Sequence, residues 1–223
     1  MYGFVPEAPT PHDRVELEGA FCSADMAAAP GDSVMLEEKR ALLRSCRYES
    51  PRTFPVAARK IDPAIICALR LLFLTPAELT DECEGNWNRP LLHAPLSRSN
   101  ERRVANALRA RLQALLRAEP TSLEEDVSWL EAAAVASEAG NVADSSVGAL
   151  DAAMATEEAG EDSVEELRYA VQLRANKKTL LAELTRQLDL FISEIETVAS
   201  DPEAPVPNLL DCVDDYLPNM RLL

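Results

Sequence analysis

One stretch restricts the fold more than any other: Ala64–Leu74 (AIICALRLLFL) is apolar almost all round. Asp62-Pro63 announces it as a helix. The aspartate is an N-cap acceptor, and the proline lacks only an N–H that the first helical position would leave unpaired anyway. A helix with no polar face has to be surrounded by other elements. The chain is therefore expected to be mainly α, a multi-helix lobe. Composition agrees, with 47% apolar residues and only 5% aromatic. Ala and Leu dominate, and both lose little conformational entropy in a helix. Seven glycines are too few for a sheet protein rich in tight turns or for a phosphate-cradling loop.

The elements on either side follow from their periodicity. Arg14–Phe21 alternates Val15 and Leu17 with Glu16 and Glu18, as a half-buried strand does. Ser33–Arg47 reads as an amphipathic helix. Arg52–Lys60 reads as a second strand, placed at an edge because Pro55 cannot donate to a ladder. Two short strands and a helix thus make a small N-terminal α/β segment. Thr75-Pro76-Ala77-Glu78 is a capping box for a short helix to about Glu84, followed by a loop from Gly85 to Leu96. Ser97–Ala118 is the clearest amphipathic helix, with Val104, Leu108, Leu112 and Leu115 on one stripe. Thr121-Ser122-Leu123-Glu124 is a further capping box, for a helix to about Ser137. Residues 138–162 hold mostly Ala, Gly, Ser, Glu and Asp, and are expected to be a disordered insertion. Ser163 is expected to cap a long final helix reaching Ala199, roughly 50 Å at about 1.5 Å per residue. Its Leu184, Leu188, Phe191, Ile195 and Val198 keep one seam on one face. Residues 200–223 show no clear periodicity and are expected to be a tail.

Charge narrows the partners. The net charge is −16, and no Lys or Arg occurs from Ala118 to Leu167. Arg98–Arg117 is the reverse, with six arginines and one glutamate. A duplex-binding protein needs a broad cationic face, which one basic helix beside a long acidic stretch does not supply. No nucleic acid partner is expected. No apolar run is long enough for a membrane span, so no membrane partner is expected either. Five cysteines form no CxxC and no metal-ligand spacing. They suit reduced thiols in an intracellular reducing compartment, and no metal site is expected.

The order of local motifs resembles the C-terminal substrate-binding domain of the Rubisco large-subunit methyltransferase family, the SET-domain protein-lysine methyltransferases. Tyr2-Gly3-Phe4-Val5 followed by Pro11-His12-Asp13 resembles the junction where the SET domain ends. Leu69-Arg70-Leu71 with Leu74 resembles the first long helix of the helical lobe, and Ser97-Arg98 with Asn100-Glu101 the start of the next. Thr121-Ser122-Leu123-Glu124-Glu125-Asp126 is similar to the family's Thr-Thr-Ile-Glu-x-Asp turn. Ala170-Val171 through Lys177 to Leu180-Leu181 resembles the opening of the last long helix. The family usually has Gly-Glu-Lys where this chain has Ala175-Asn176-Lys177. On this resemblance residues 1–13 are a remnant of the SET junction and 14–199 the substrate-binding domain.

The resemblance implies a lobe that binds a protein substrate, in a family whose full-length members use S-adenosylmethionine. The family's cofactor pocket comes from a Gly-rich loop and an Asn-His pair upstream of the Tyr-Gly-Phe junction. This sequence begins one residue before that junction. The expectation is therefore no catalytic residue, no bound cofactor and no enzyme activity for the chain alone. Tyr2 and Phe4 match aromatic positions lining the family's cofactor and lysine channel and stand as remnant channel positions. His12 and His93 lie in Pro-containing loops, and nothing in their spacing favours a nucleophile pair such as Cys83 with His93. Arg102, Arg103, Arg109 and Trp87 are the candidates for protein contact. A stand-alone helical scaffold that self-associates through an exposed Leu184–Val198 seam is the alternative; a docked seam predicts a monomer.

Overall fold

In the computed structural model the described residues are 14–18, 29–48, 52–57, 60–91, 94–140, 161–199, 201 and 203–214. Two strands stand where the alternation places them, β1 (Arg14–Glu18) and β2 (Thr53–Ala57), and a two-residue strand β3 (Lys60–Ile61) joins them in an antiparallel sheet ordered β1-β2-β3. Val15 pairs with Val56 and Leu17 with Phe54. All four are buried, while Glu16 between them is exposed. Pro55 differs from expectation in lying on the middle strand. It is tolerated because β3 pairs only with Val56 and Ala57 and ends before reaching it.

The first helix, α1 (Ser33–Ser45), starts at Asp32, whose carboxylate accepts the Met35 N–H at 2.9 Å. Gly31 before it has φ +115°, and a Cβ there would come within 2.7 Å of Met35 Sδ. The apolar run is α2 (Pro63–Leu72), buried continuously from Ile65 to Leu72 and capped by Asp62. The short α3 (Pro76–Asp81) has the expected reciprocal cap between Thr75 and Glu78. A 3-10 turn at Arg89–Leu91 interrupts the following loop. Next come α4 (Arg98–Arg117), capped by Ser97, then α5 (Leu123–Gly140) and α6 (Glu161–Val198).

Three boundaries differ from the sequence reading. At α5 the reciprocal cap is Ser122 with Glu125, one residue later than Thr121 with Glu124. Thr121 is otherwise engaged, as described below. Helix α5 continues to Gly140 and α6 begins at Glu161, so Ser163 lies inside α6. Of the expected insertion 138–162, both ends are helical, and 141–160 lies outside the described residues. Beyond α6, Leu209–Asp214 forms a short helix, α7, whose Leu209 and Leu210 enter the core.

The inner face of the sheet, α2, α4, the second half of α6 and α7 share one hydrophobic core. Leu184, Leu188, Phe191 and Ile195 of the α6 seam are all buried within it. Helix α2 is wrapped as its composition requires, and its single charge is satisfied inside. Arg70 Nε donates to Glu101 Oε1 at 2.6 Å and Arg70 Nη2 to Glu101 Oε2 at 2.8 Å, both side chains being fully buried. The same Nη2 reaches Asn208 Oδ1 at 2.7 Å, and Glu101 Oε2 accepts the Leu209 N–H at 3.2 Å. This pair ties α2, α4 and α7 together. Lys39 of α1, also fully buried, donates to the carbonyls of Pro30, Leu72 and Leu74 at 2.7, 2.9 and 2.7 Å. It thereby satisfies carbonyls at the end of α2 that the helix itself leaves open.

Candidate functional site

Helix α5 is held to the lobe by one buried carboxylate. Asp126, 1% exposed, accepts Lys178 Nζ at 2.6 Å, Thr121 Oγ1 at 2.8 Å and Arg174 Nε at 3.0 Å to each oxygen. Lys178 also donates to Thr121 Oγ1 at 2.7 Å and to the Ser122 carbonyl at 3.1 Å. Burial resists the charge on Asp126, but the donors Arg174, Lys178 and Thr121 overcome it and hold the carboxyl well below its ordinary range. Lys177 adds an ion pair to Glu119 at 2.6 Å. The start of α5 is thus clamped just before the midpoint of α6.

The clamp leaves a groove between the two helices. Leu123, Val127, Leu130 and Ala134 recur along α5 at steps of four, three and four, which sets them in a line on one face. Ala175 and Thr179 of α6 face them, with Gln172, Asn176 and Arg168 along the same side. The groove has a volume of about 520 Å³, and Val127 on its floor remains 41% exposed. Glu131 lines it, and Glu124, two helical turns earlier on α5, is exposed on the same side; Glu165 of α6, also exposed, accepts the Tyr169 hydroxyl at 2.7 Å.

A second concavity, about 480 Å³, lies between α1 and α3 and includes Trp87. Val34, 65% exposed, stands at its edge beside Met35, Pro76 and Leu79. Trp87 is half-buried and packs against the core while presenting part of its ring to this cleft.

The three arginine candidates serve the lobe's own contacts. Arg102 pairs with Glu196 at 2.7 Å and Arg109 with Asp189 at 2.8 Å, so both cross from α4 to α6. Arg103 donates to Ser99 Oγ at 2.6 Å and to Glu78 of α3. Burial raises the cost of charge on Glu78, but Ser97, the Thr75 N–H and Arg103 outweigh it and hold its carboxyl below the usual range. Three of the six arginines of α4 are thus met by acids on α3 and α6. Tyr2, Phe4, His12 and His93 lie outside the described residues. Burial pushes the Cys83 thiol upward, away from the thiolate that nucleophilic chemistry needs. Among the described residues no group of His, Cys, Asp and Glu could hold a metal ion, and no helix is long and apolar enough to cross a membrane.

A family model described as Rubisco LSMT substrate-binding matches residues 30–181, roughly two thirds of the chain. The chain belongs to this family. A search of curated proteins gave no match. The matched stretch of the Rubisco LSMT substrate-binding domain begins just before α1 and ends at Leu181. It includes both cavities and the whole Asp126 clamp. The family supports a substrate-recognition role for the domain.

The clamp gives physical content to the motif Thr121–Asp126. Its threonine and aspartate bond each other and Lys178, while its Ser122 and Glu125 close the helix cap. The departure at residues 175–177 falls on the same helix pair: Ala175 lines the groove, Asn176 accepts from Gln172 Nε2 at 3.0 Å, and Lys177 bonds Glu119. Sequence reasoning passed over the groove, although the Leu123, Val127, Leu130, Ala134 spacing was its visible signal.

Proposed function

We propose that this chain is the protein-substrate-recognition lobe of a SET-domain protein-lysine N-methyltransferase, and that it performs no methyl transfer by itself. The observation that carries this reading is the family match across α1 to α6, which takes in the scaffold and both concave surfaces. A recognition lobe needs a fixed surface away from the chemistry, so that binding energy gained there can position the reacting lysine. The buried ties at Arg70–Glu101, Lys39 and Asp126–Lys178 are devices for such fixity. S-adenosylmethionine is assigned to the catalytic half of such an enzyme. The α5–α6 groove is open along its length and the Trp87 cleft is shallow, and neither fits the enclosed polar cradle that this cofactor requires. No step through it is assigned to these residues.

The test joins the chain in frame behind the SET catalytic half of a Rubisco-methyltransferase-type enzyme and follows labelled methyl transfer to a folded lysine-bearing protein. Deleting the lobe is expected to raise KM for that protein about tenfold or more, with kcat on a short lysine peptide unchanged. The isolated chain is expected to transfer no label. Transfer by the isolated chain, or a KM indifferent to the lobe, refutes the proposal. Self-assembly through the last helix is not favoured, because Leu184, Leu188, Phe191 and Ile195 are already buried in their own chain. Light scattering is expected to return the mass of a single chain.

A further inference from the structure

We propose that the α5–α6 groove seats a basic amphipathic helix of the protein substrate, with apolar side chains on the groove floor and Lys or Arg on the flank that faces α5. The inference rests on the substrate-recognition reading and names what that surface takes.

Shape selects a helix. The line from Leu123 to Ala134 runs over 12 residues, about 17 Å or three turns. It is apolar, with Val127 41% exposed along it. A groove between two helices that offers anchors at such steps matches the i, i+4, i+7 stripe of a third helix. The Asp126 clamp forms the groove in advance, since it fixes α5 on α6 through the nearly fully buried Asp126–Lys178 pair, with Arg174 at its edge. Little ordering of the lobe would then be needed on binding.

Charge selects the sign. Glu124 and Glu131 lie seven residues apart on α5 and so on one rim. Among the described residues Arg168, on the α6 wall, is the one cation lining the groove, and α5 contains neither Lys nor Arg. The flank of a seated helix that faces α5 therefore meets carboxylates. Lys and Arg on that flank are attracted, and Asp and Glu are repelled. In the Trp87 cleft Glu38 is one acidic residue, and the other, Asp32, already spends its carboxylate on capping α1.

The test uses a fluorescein-labelled synthetic helix of roughly four turns, with Leu at i, i+4, i+7 and i+11 and Lys on the flanks. Its twin replaces every Lys with Glu. By fluorescence anisotropy the basic peptide is expected to bind about tenfold tighter than the acidic one or better, a gap of about 1.4 kcal/mol, and raised salt should narrow it. Val127→Glu is expected to weaken basic-peptide binding at least about tenfold, because it places a carboxylate on the apolar floor. Leu190→Glu, at a site 53% exposed elsewhere on α6, should leave binding unchanged. Should Val127→Glu lose its helical circular dichroism, the surface pair Glu124→Lys with Glu131→Lys carries the test, and it should weaken the basic peptide while strengthening the acidic one.

Equal binding of both peptides, or binding indifferent to these substitutions, overturns the proposal. A concentration-dependent dimer abolished by Val127→Glu overturns it in favour of a second copy. Binding that emerges only on deletion of 141–160 overturns it in favour of that segment. If the peptide fails while the fusion enzyme still needs the lobe for its KM, the groove assignment falls and substrate recognition stands. If the fusion ignores the lobe, the recognition reading falls instead.

Discussion

Glu101→Gln removes one charge from the centre of the lobe and changes almost no volume. In the wild type both carboxylate oxygens serve the Arg70 guanidinium, at 2.6 and 2.8 Å, and one also accepts the Leu209 N–H. Both side chains are fully buried. The amide keeps one acceptor and turns an N–H₂ group toward groups that are themselves donors, leaving the guanidinium charge inside without its counterion. Breaking a buried pair from one side costs about 3–5 kcal/mol, a large share of the about 5–15 kcal/mol that holds a typical domain together. With a urea slope of about 2 kcal/mol/M, a loss of 4 kcal/mol lowers the midpoint by about 2 M. Replacing both partners, as Arg70→Met with Glu101→Leu, removes the desolvation cost along with the attraction. It should recover stability to within about 2 kcal/mol of wild type. Urea unfolding followed by circular dichroism measures all three proteins. A Glu101→Gln stability within about 0.5 kcal/mol of wild type, or a double variant as unstable as the summed singles, refutes the reasoning. Hydrogen exchange supplies a local check, since the Leu209 amide should lose protection in Glu101→Gln.

Asp126→Asn should cost about 3 kcal/mol, because Lys178 is left buried without its counterion, and exchange along α5 should speed up before the rest of the lobe responds. The Asp126 carboxyl is depressed on folding, so its stabilisation is full above its unfolded pKa of about 4 and is lost as pH falls further. The acid limb of the stability curve should accordingly be shallower in Asp126→Asn. Lys39 is pushed down to about 8 by burial first and by the charge of Arg103 second, against the pull of Glu78. Between pH 8 and its unfolded value the unfolded chain holds more protons at this site, so its contribution to stability rises with pH. The wild-type advantage over Lys39→Met should therefore grow by about 1.5 kcal/mol from pH 8 to 9.5, in paired urea titrations; a flat difference would contradict the assignment. Gly31→Ala should destabilise by about 1–3 kcal/mol, from its left-handed φ and the Met35 contact, and thermal unfolding reads this directly.

Elements set by local chemistry were legible in the sequence. Asp62-Pro63, the Thr75–Glu78 box and Ser97 each cap the helix they announce. The α4 stripe and the α6 seam are buried as their spacing requires, apart from Leu115 and Val198, which are half-buried. Features decided by distant residues were not. The cap of α5 shifts to Ser122 because Lys178, 57 positions from Thr121, recruits Thr121 into the Asp126 clamp. Pro55 can sit on a middle strand because β3 is only two residues long, which no local pattern announces. Leu209 and Leu210 have no periodic neighbours to mark them, yet the Arg70–Glu101 pair places α7 on the core. The ion pairs of the α4 arginines likewise depend on Glu78, Asp189 and Glu196, which arrive from other elements.

Helix α6 runs for 38 residues without a glycine or a proline, the usual sites of a bend. Its far half is set in the core through Phe191 and Ile195, and its near half bears α5 on the Asp126 clamp. The molecule is therefore built like a bracket, with a rooted beam and a shelf fastened to its outer arm. Between shelf and root the beam carries no proline or glycine at which it could hinge.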